Sequence, residues 1–121
     1  MGETVETVDV QGTAIGVGTV IAMACLVYGT VISQTIVGID TTAVAMWVFA
    51  ATFLAVGTLH AAYGHGNLAW GHGGAAAGWL FILLGTTGLQ VGIGLILLLL
   101  SGAYIVLVTL RFRRDGAATP T

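Results

Sequence analysis

The chain has 121 residues, of which 57% are hydrophobic and only 7% charged, with a formal net charge of −2. Soluble domains carry roughly 25% charged residues, because a small sphere needs a polar coat. A mean hydropathy of +1.02 with so few ionised groups therefore points to a chain surrounded by lipid, and charge this slight and peripheral offers no nucleic-acid surface.

The N-terminal tail, residues 1–12, holds Glu3, Glu6 and Asp9. A cleavable signal peptide needs a basic start, so the first apolar run reads as a retained transmembrane helix. A span needs about 20 apolar residues to cross a hydrocarbon layer of about 30 Å, and the first covers about 13–33. Its small residues recur four apart, as Gly12 and Gly16 and as Ala14, Gly18 and Ala22, a spacing that lets helix backbones approach closely in a bilayer. Cys25 is the one cysteine, which excludes an intrachain disulfide. It sits among Ala24, Leu26 and Val27 without the electropositive setting of a reactive thiol. There is no lysine, and alanine, glycine, valine and threonine abound, a composition that resembles small membrane proteins of GC-rich genomes.

Residues 33–42 (SQTIVGIDTT) form a polar-leaning connection with Asp40, the one formal charge between the two tails. The second span covers about 43–63, with Trp47 and Tyr63 placed as interfacial aromatics at its ends. The apolar tract from Gly74 to Leu110 would be about 55 Å long as one helix, too long for an ordinary bilayer. Its glycine- and threonine-rich segment GTTGLQVGIG, residues 85–94, predicts a turn near 86–90. The third span is then about 68–86, with Asn67 available as N-cap, and the fourth about 91–110. Further small pairs are Gly74 with Gly78 and Gly88 with Gly92, while LILLLL at 95–100 offers only lipid-facing bulk. The expected fold is an all-α integral membrane protein, a bundle of four transmembrane helices. The alternative is three spans plus a re-entrant or interfacial segment over 68–88. Arg111, Arg113 and Arg114 begin a basic C-terminal tail, residues 111–121, which the positive-inside rule keeps in the cytoplasm of a cell-membrane protein. Four spans put the N-terminal tail and the loop between spans two and three on the same side.

That loop, HAAYGHGNLAWGH at residues 60–72, contains all three histidines. Along one continuous helix His60 and His65 would stand about 140° apart, without the i, i+4 spacing of a helical ligand pair. Across a helical hairpin, however, His60 and His72 can meet. Together they are the candidates for binding haem b, and with His65 for a transition metal. The preferred reading leaves His60 and His72 as polar tips at the headgroup level, His65 in solvent, and no cofactor.

No catalytic set is visible. The spans contain no Asp, Glu, Lys or Arg, so Ser33, Ser101 and the threonines have no evident base partner, and the chain reads as a non-enzyme. Its size matches the small four-span multidrug exporters, whose activity needs a carboxylate in the first helix; Thr13, Thr19, Cys25, Tyr28 and Thr30 are the polar residues there instead. Gln34 and Gln90 read as polar residues at helix ends near the outer face. Tyr28, Tyr104 and Trp79 lie deeper and want partners inside the helix packing. The function expected is that of a helix-packing scaffold, an accessory subunit of a larger membrane complex, or a homo-oligomer. A haem- or metal-binding subunit and a passive channel or carrier are the alternatives.

Overall fold

The computed structural model describes residues 2–118, with side chains described from Val10 to Ala117. The acids of the N-terminal tail and residues 119–121 lie outside the described side chains. The elements in order are α1 (Gly2–Val31), β1 (Thr35–Ile36), β2 (Ile39–Asp40), α2 (Thr41–Ala62), α3 (Gly66–Leu83) and α4 (Gly88–Ala118). Three stretches, Val10–Val31, Thr41–Ala62 and Gly88–Ala117, are long and apolar enough to cross a membrane. The protein is thus helical and membrane-associated.

Helix boundaries differ from expectation where the tails begin. Both α1 and α4 run into the tails, and at 1.5 Å per residue the 31-residue α4 is about 46 Å long. The basic cluster does not stop the helix: Arg111, Arg113 and Arg114 lie within it. Backbone hydrogen bonds close within a helix, so nothing in a run of arginines forces a stop.

The connection at 33–42 contains a two-stranded hairpin, with Thr35 opposite Asp40 and Ile36 opposite Ile39. Its two-residue turn has Val37 at φ 51° and Gly38 at φ 79°, the doubly positive geometry that matches strand twist. A β-branched residue is strained at positive φ, and the Val37 side chain stands 96% exposed. Asp40 closes this loop by capping α2. Its carboxylate accepts hydrogen bonds from Thr42 N at 2.9 Å and Ala43 N at 3.1 Å. The interior's lone charge is thus spent on a helix N-terminus, where it meets the positive end of the dipole. At the other turn Thr87 caps α4, its hydroxyl accepting from Gln90 N at 3.2 Å.

Each helix packs on its chain neighbours: α1 on α2, α2 on α3, α3 on α4. Among the described residues no comparable contact joins α1 to α3 or α4, or α2 to α4. The helices form an open antiparallel row in place of a closed ring. A small residue makes each crossing possible. Gly18 of α1 faces Thr52 and Gly29 faces Thr41. Gly57 of α2 lies on the α3 backbone, where an added Cβ would sit 3.2 Å from Gly73 N. Between α3 and α4 the backbones touch: a Cβ on Gly78 would be 2.9 Å from the Gly94 carbonyl oxygen, and one on Gly94 would be 2.8 Å from that of Gly78. Of the pairs expected to pack, Gly18 with Ala22 and Gly74 with Gly78 do so. By contrast, Gly12, Gly16, Gly88 and Gly92 have nothing within 4 Å of an added Cβ. The core is correspondingly made of small side chains, with Ala22, Ala45, Ala50, Val56, Ala75 and Ala76 buried.

Replacing Gly94 with alanine should therefore separate α3 from α4 and lower stability by about 1–3 kcal/mol, the cost of overpacking a tight contact. Gly92→Ala, with open space around it, should change stability by less than about 0.5 kcal/mol. Unfolding in mixed micelles by titrated denaturing detergent reads both. Equal losses would show that backbone contact does not hold this pair.

Candidate functional site

The helix geometry brings one polar cluster together at the elbow between α2 and α3. α2 ends at Ala62, and Gly64 takes the left-handed conformation with φ 79°. Two bonds then tie the helix end: His65 N donates to the His60 carbonyl at 2.8 Å, and Gly64 N to that of Ala61 at 3.1 Å. This paired closure needs a residue without a Cβ at its left-handed position, which is what Gly64 supplies. It folds the chain back so that α3 starts two residues later. Gly64 and Gly66 are expected to end the helix here, and it is broken between His60 and His65, so the angle of a continuous helix does not apply to that pair.

His60 and His72 are both buried, and their ring centroids are 4.9 Å apart with the planes inclined by 35°. The His65 ring lies 5.9 Å from His60 and is exposed. Beyond His72, on the side away from the elbow, the Phe53 ring is 6.0 Å distant. The expectation that His60 and His72 would meet across the hairpin is what the geometry shows. Their burial between helices differs from the picture of polar tips at a membrane surface. Small neighbours make the burial possible, since Gly57 allows the α3 backbone and the His72 Cβ to approach.

The cluster's hydrogen bonding is uneven. Nδ1 of His72 lies 2.8 Å from the Leu68 carbonyl oxygen, one turn back on α3. A carbonyl only accepts, so this nitrogen carries the proton and Nε2 keeps the free lone pair. Nδ1 of His60 is buried and has no partner. The Nε2 amide of Gln11 is also buried and unpartnered. The α1–α2 register, carried about two turns on from the Gly18–Thr52 contact, brings Gln11 to about the level of Leu59 and His60. A buried polar group left unpaired costs about 1–3 kcal/mol. Two such groups at one level mark this end of the row as the place where polar chemistry is concentrated.

Other polar residues are placed as follows. Asn67 does not cap α3; His65 occupies that position without a side-chain cap bond. The side-chain Oδ1 of Asn67 instead accepts from the Tyr104 hydroxyl of α4 at 3.4 Å, because α4 passes beside the elbow. Trp79 stacks on Phe49 at 5.3 Å and 11°, its indole N–H unpartnered. Gln34 is exposed and Gln90 half-buried at the opposite end of the row. Sequence reasoning missed Gln11, which looked like part of a tail. Its neighbours Ala14 and Gly18 were the signal that α1 packs this far down.

Among the described residues no three His, Cys, Asp or Glu side chains converge as a metal cage. A haem iron held in trans by two imidazoles needs ring centroids about 6 Å apart, with each nitrogen about 2 Å from the metal. At 4.9 Å the His60 and His72 rings leave no room for a macrocycle between them. Compared with known proteins, the chain matches no family model, and no curated protein or solved structure is significantly similar to it.

The hydrogen bond to Leu68 fixes the His72 tautomer. Nitrogen-15 spectra of labelled protein in micelles should show His72 protonated at Nδ1 and bare at Nε2. A signal from an Nε2–H tautomer would contradict the observed geometry.

Proposed function

We propose that the chain is a four-span cell-membrane protein that acts by helix packing, as a subunit that assembles laterally with copies of itself or with a larger membrane complex. One observation carries this reading: the row is open at both ends. Among the described residues α1 packs principally on α2 and α4 on α3, and the glycine pairs Gly12–Gly16 and Gly88–Gly92 have nothing within 4 Å of an added Cβ. In a bilayer such faces associate through close van der Waals approach, because lipid offers apolar side chains no hydrophobic gain. Large apolar side chains such as Val20, Leu89, Leu99 and Leu107 are exposed along the same outer helices, as lipid contact requires.

Full traversal by α3 belongs to this proposal. α3 has 18 residues, about 27 Å of helix, close to a hydrocarbon thickness of about 30 Å. It lies antiparallel against both α2 and α4, each long and apolar enough to cross. Its polar and small residues, His72, Gly71, Ala75, Ala76 and Gly78, are buried by those neighbours, which is why its sequence is less apolar. The positive-inside rule then sets the arginine end of α4, the N-terminus and the histidine elbow in the cytoplasm. The β-hairpin lies outside. The reading includes no catalysis, since residues 10–39 and 41–110 supply no carboxylate or lysine to activate a nucleophile.

Two measurements test it. A cysteine placed at Gln34, with Cys25 replaced by serine, should react with a membrane-impermeant maleimide on whole cells, while one placed at Gly66, which has open space around it, should react only after lysis. The reverse pattern, or labelling of both from outside, ends the four-span topology. Native mass spectrometry from nanodiscs should give a defined oligomer or a co-purifying subunit, and Gly12→Leu with Gly16→Leu should reduce that species. A strictly monomeric, partnerless protein would refute the assembly role.

A further inference from the structure

The histidine elbow has a chemistry that lateral packing does not use, and it goes beyond the assembly reading. We propose that His60 and His72 bind a single monovalent copper ion at the α2–α3 elbow, with His65 closing on it as the third and outermost ligand.

The ring separation is the first argument. With each nitrogen about 2 Å from a metal, two imidazoles meeting at a bent angle place their centroids about 5 Å apart, and collinear ones about 6 Å apart. The observed 4.9 Å between His60 and His72 fits the bent case. A bent pair leaves a third position open, and the exposed His65 ring, 5.9 Å from His60, is the side chain that would swing in to fill it. Among the described residues the three histidines do not already converge as a cage, so the third ligand has to move in.

Nitrogen availability is the second. The bond from His72 Nδ1 to Leu68 holds the ring and leaves Nε2 as a lone-pair donor, the orienting contact that metal-bound histidines commonly make. His60 contributes a buried nitrogen with no other partner. Both rings are held by helices whose crossing is fixed at Gly57 and Gly73.

Charge selects the ion. α2 and α3 carry no carboxylate and no thiol in residues 41–83, so the ligand set is neutral. Moving an ion from water into a low-dielectric interior is costly and rises with the square of its charge. A divalent ion with neutral ligands is thus penalised far more than a monovalent one. Imidazole suits copper as well as zinc, iron and nickel; copper is the one of these with a monovalent ion that accepts low coordination numbers, which two buried rings and one mobile ring can supply. The exposed His65 also gives the ion a way in from the water at the elbow.

The test uses the full-length protein in detergent micelles under anaerobic reducing conditions. Copper(I) is titrated in competition with a chromophoric copper(I) chelator, and zinc(II) and silver(I) are titrated in parallel. One equivalent of copper(I) should bind per chain, silver(I) should compete for it, and zinc(II) should bind about 100-fold more weakly or worse. X-ray absorption of the wild-type copper form should show two or three nitrogen neighbours and no sulfur. His60→Ala and His72→Ala should each weaken binding by about 100-fold, and His65→Ala by about 10-fold, with helical circular dichroism unchanged. The wild-type titration and absorption spectrum do not depend on how the variants fold. No retained copper in the wild type, sulfur in the coordination shell, or equal affinity for zinc overturns the proposal. So does copper binding that survives loss of both buried histidines. Assembly by native mass spectrometry is read separately, so either proposal can fail alone.

Discussion

Hydrocarbon cannot hydrogen-bond, so every buried amide in this chain must find its partner along its own helix. With that requirement met locally, what remains to hold the helices together is contact, and contact is limited by how near two backbones can come. The Gly78–Gly94 crossing is the extreme case, with peptide oxygens where side chains would otherwise stand. Gly57 against Gly73 repeats the device one interface away. The small buried residues of α3, and the absence of any large aliphatic core, follow from the same limit. Side-chain volume is moved outward to the lipid, and the interior is built from backbone.

Close approach also explains how two imidazoles come to be buried in a chain with so little polarity. The residues that would have kept their helices apart are glycine and alanine, and the chain reversal between them is closed by Gly64. One ring is held by its own helix through Leu68; the other has no hydrogen bond at Nδ1. In a soluble core, repacking or an ordered water would be expected to remove such a mismatch. Here a second unpartnered group, Gln11, falls at about the same level, at the end of the row that also carries the arginines.

Much of this was legible in the sequence, for reasons that differ along the chain. The spans were visible because their signal is bulk: long runs without charge. A break in this tract was visible because threonine and glycine interrupt leucine-rich helix, though it falls at 84–87, earlier than the expected 86–90, because Thr87 caps α4 and starts the helix at Gly88. The meeting of His60 and His72 followed from hairpin topology alone. Three things were not legible. The extension of α1 and α4 into the tails was missed because charge marks where a membrane ends, whereas helix termination depends on caps. The hairpin at 35–40 was hidden by Val37, a residue that sequence rules keep out of a left-handed turn. The failure of Gly88 and Gly92 to pack could not be seen from spacing, because a strip of small residues states only that a neighbour could come close. Which strip is used depends on the rotation of each helix about its axis, and that is set by all of its contacts at once.

The serial arrangement of the row has a consequence for how the protein is made. Since α1 contacts α2, α2 contacts α3 and α3 contacts α4, every helix meets its principal partner as soon as the next one leaves the ribosome. No early helix has to wait in the bilayer for a distant segment to close a ring, and sequence-local contacts of this kind favour rapid folding. Insertion can therefore proceed hairpin by hairpin, each finished pair serving as the template on which the following one settles.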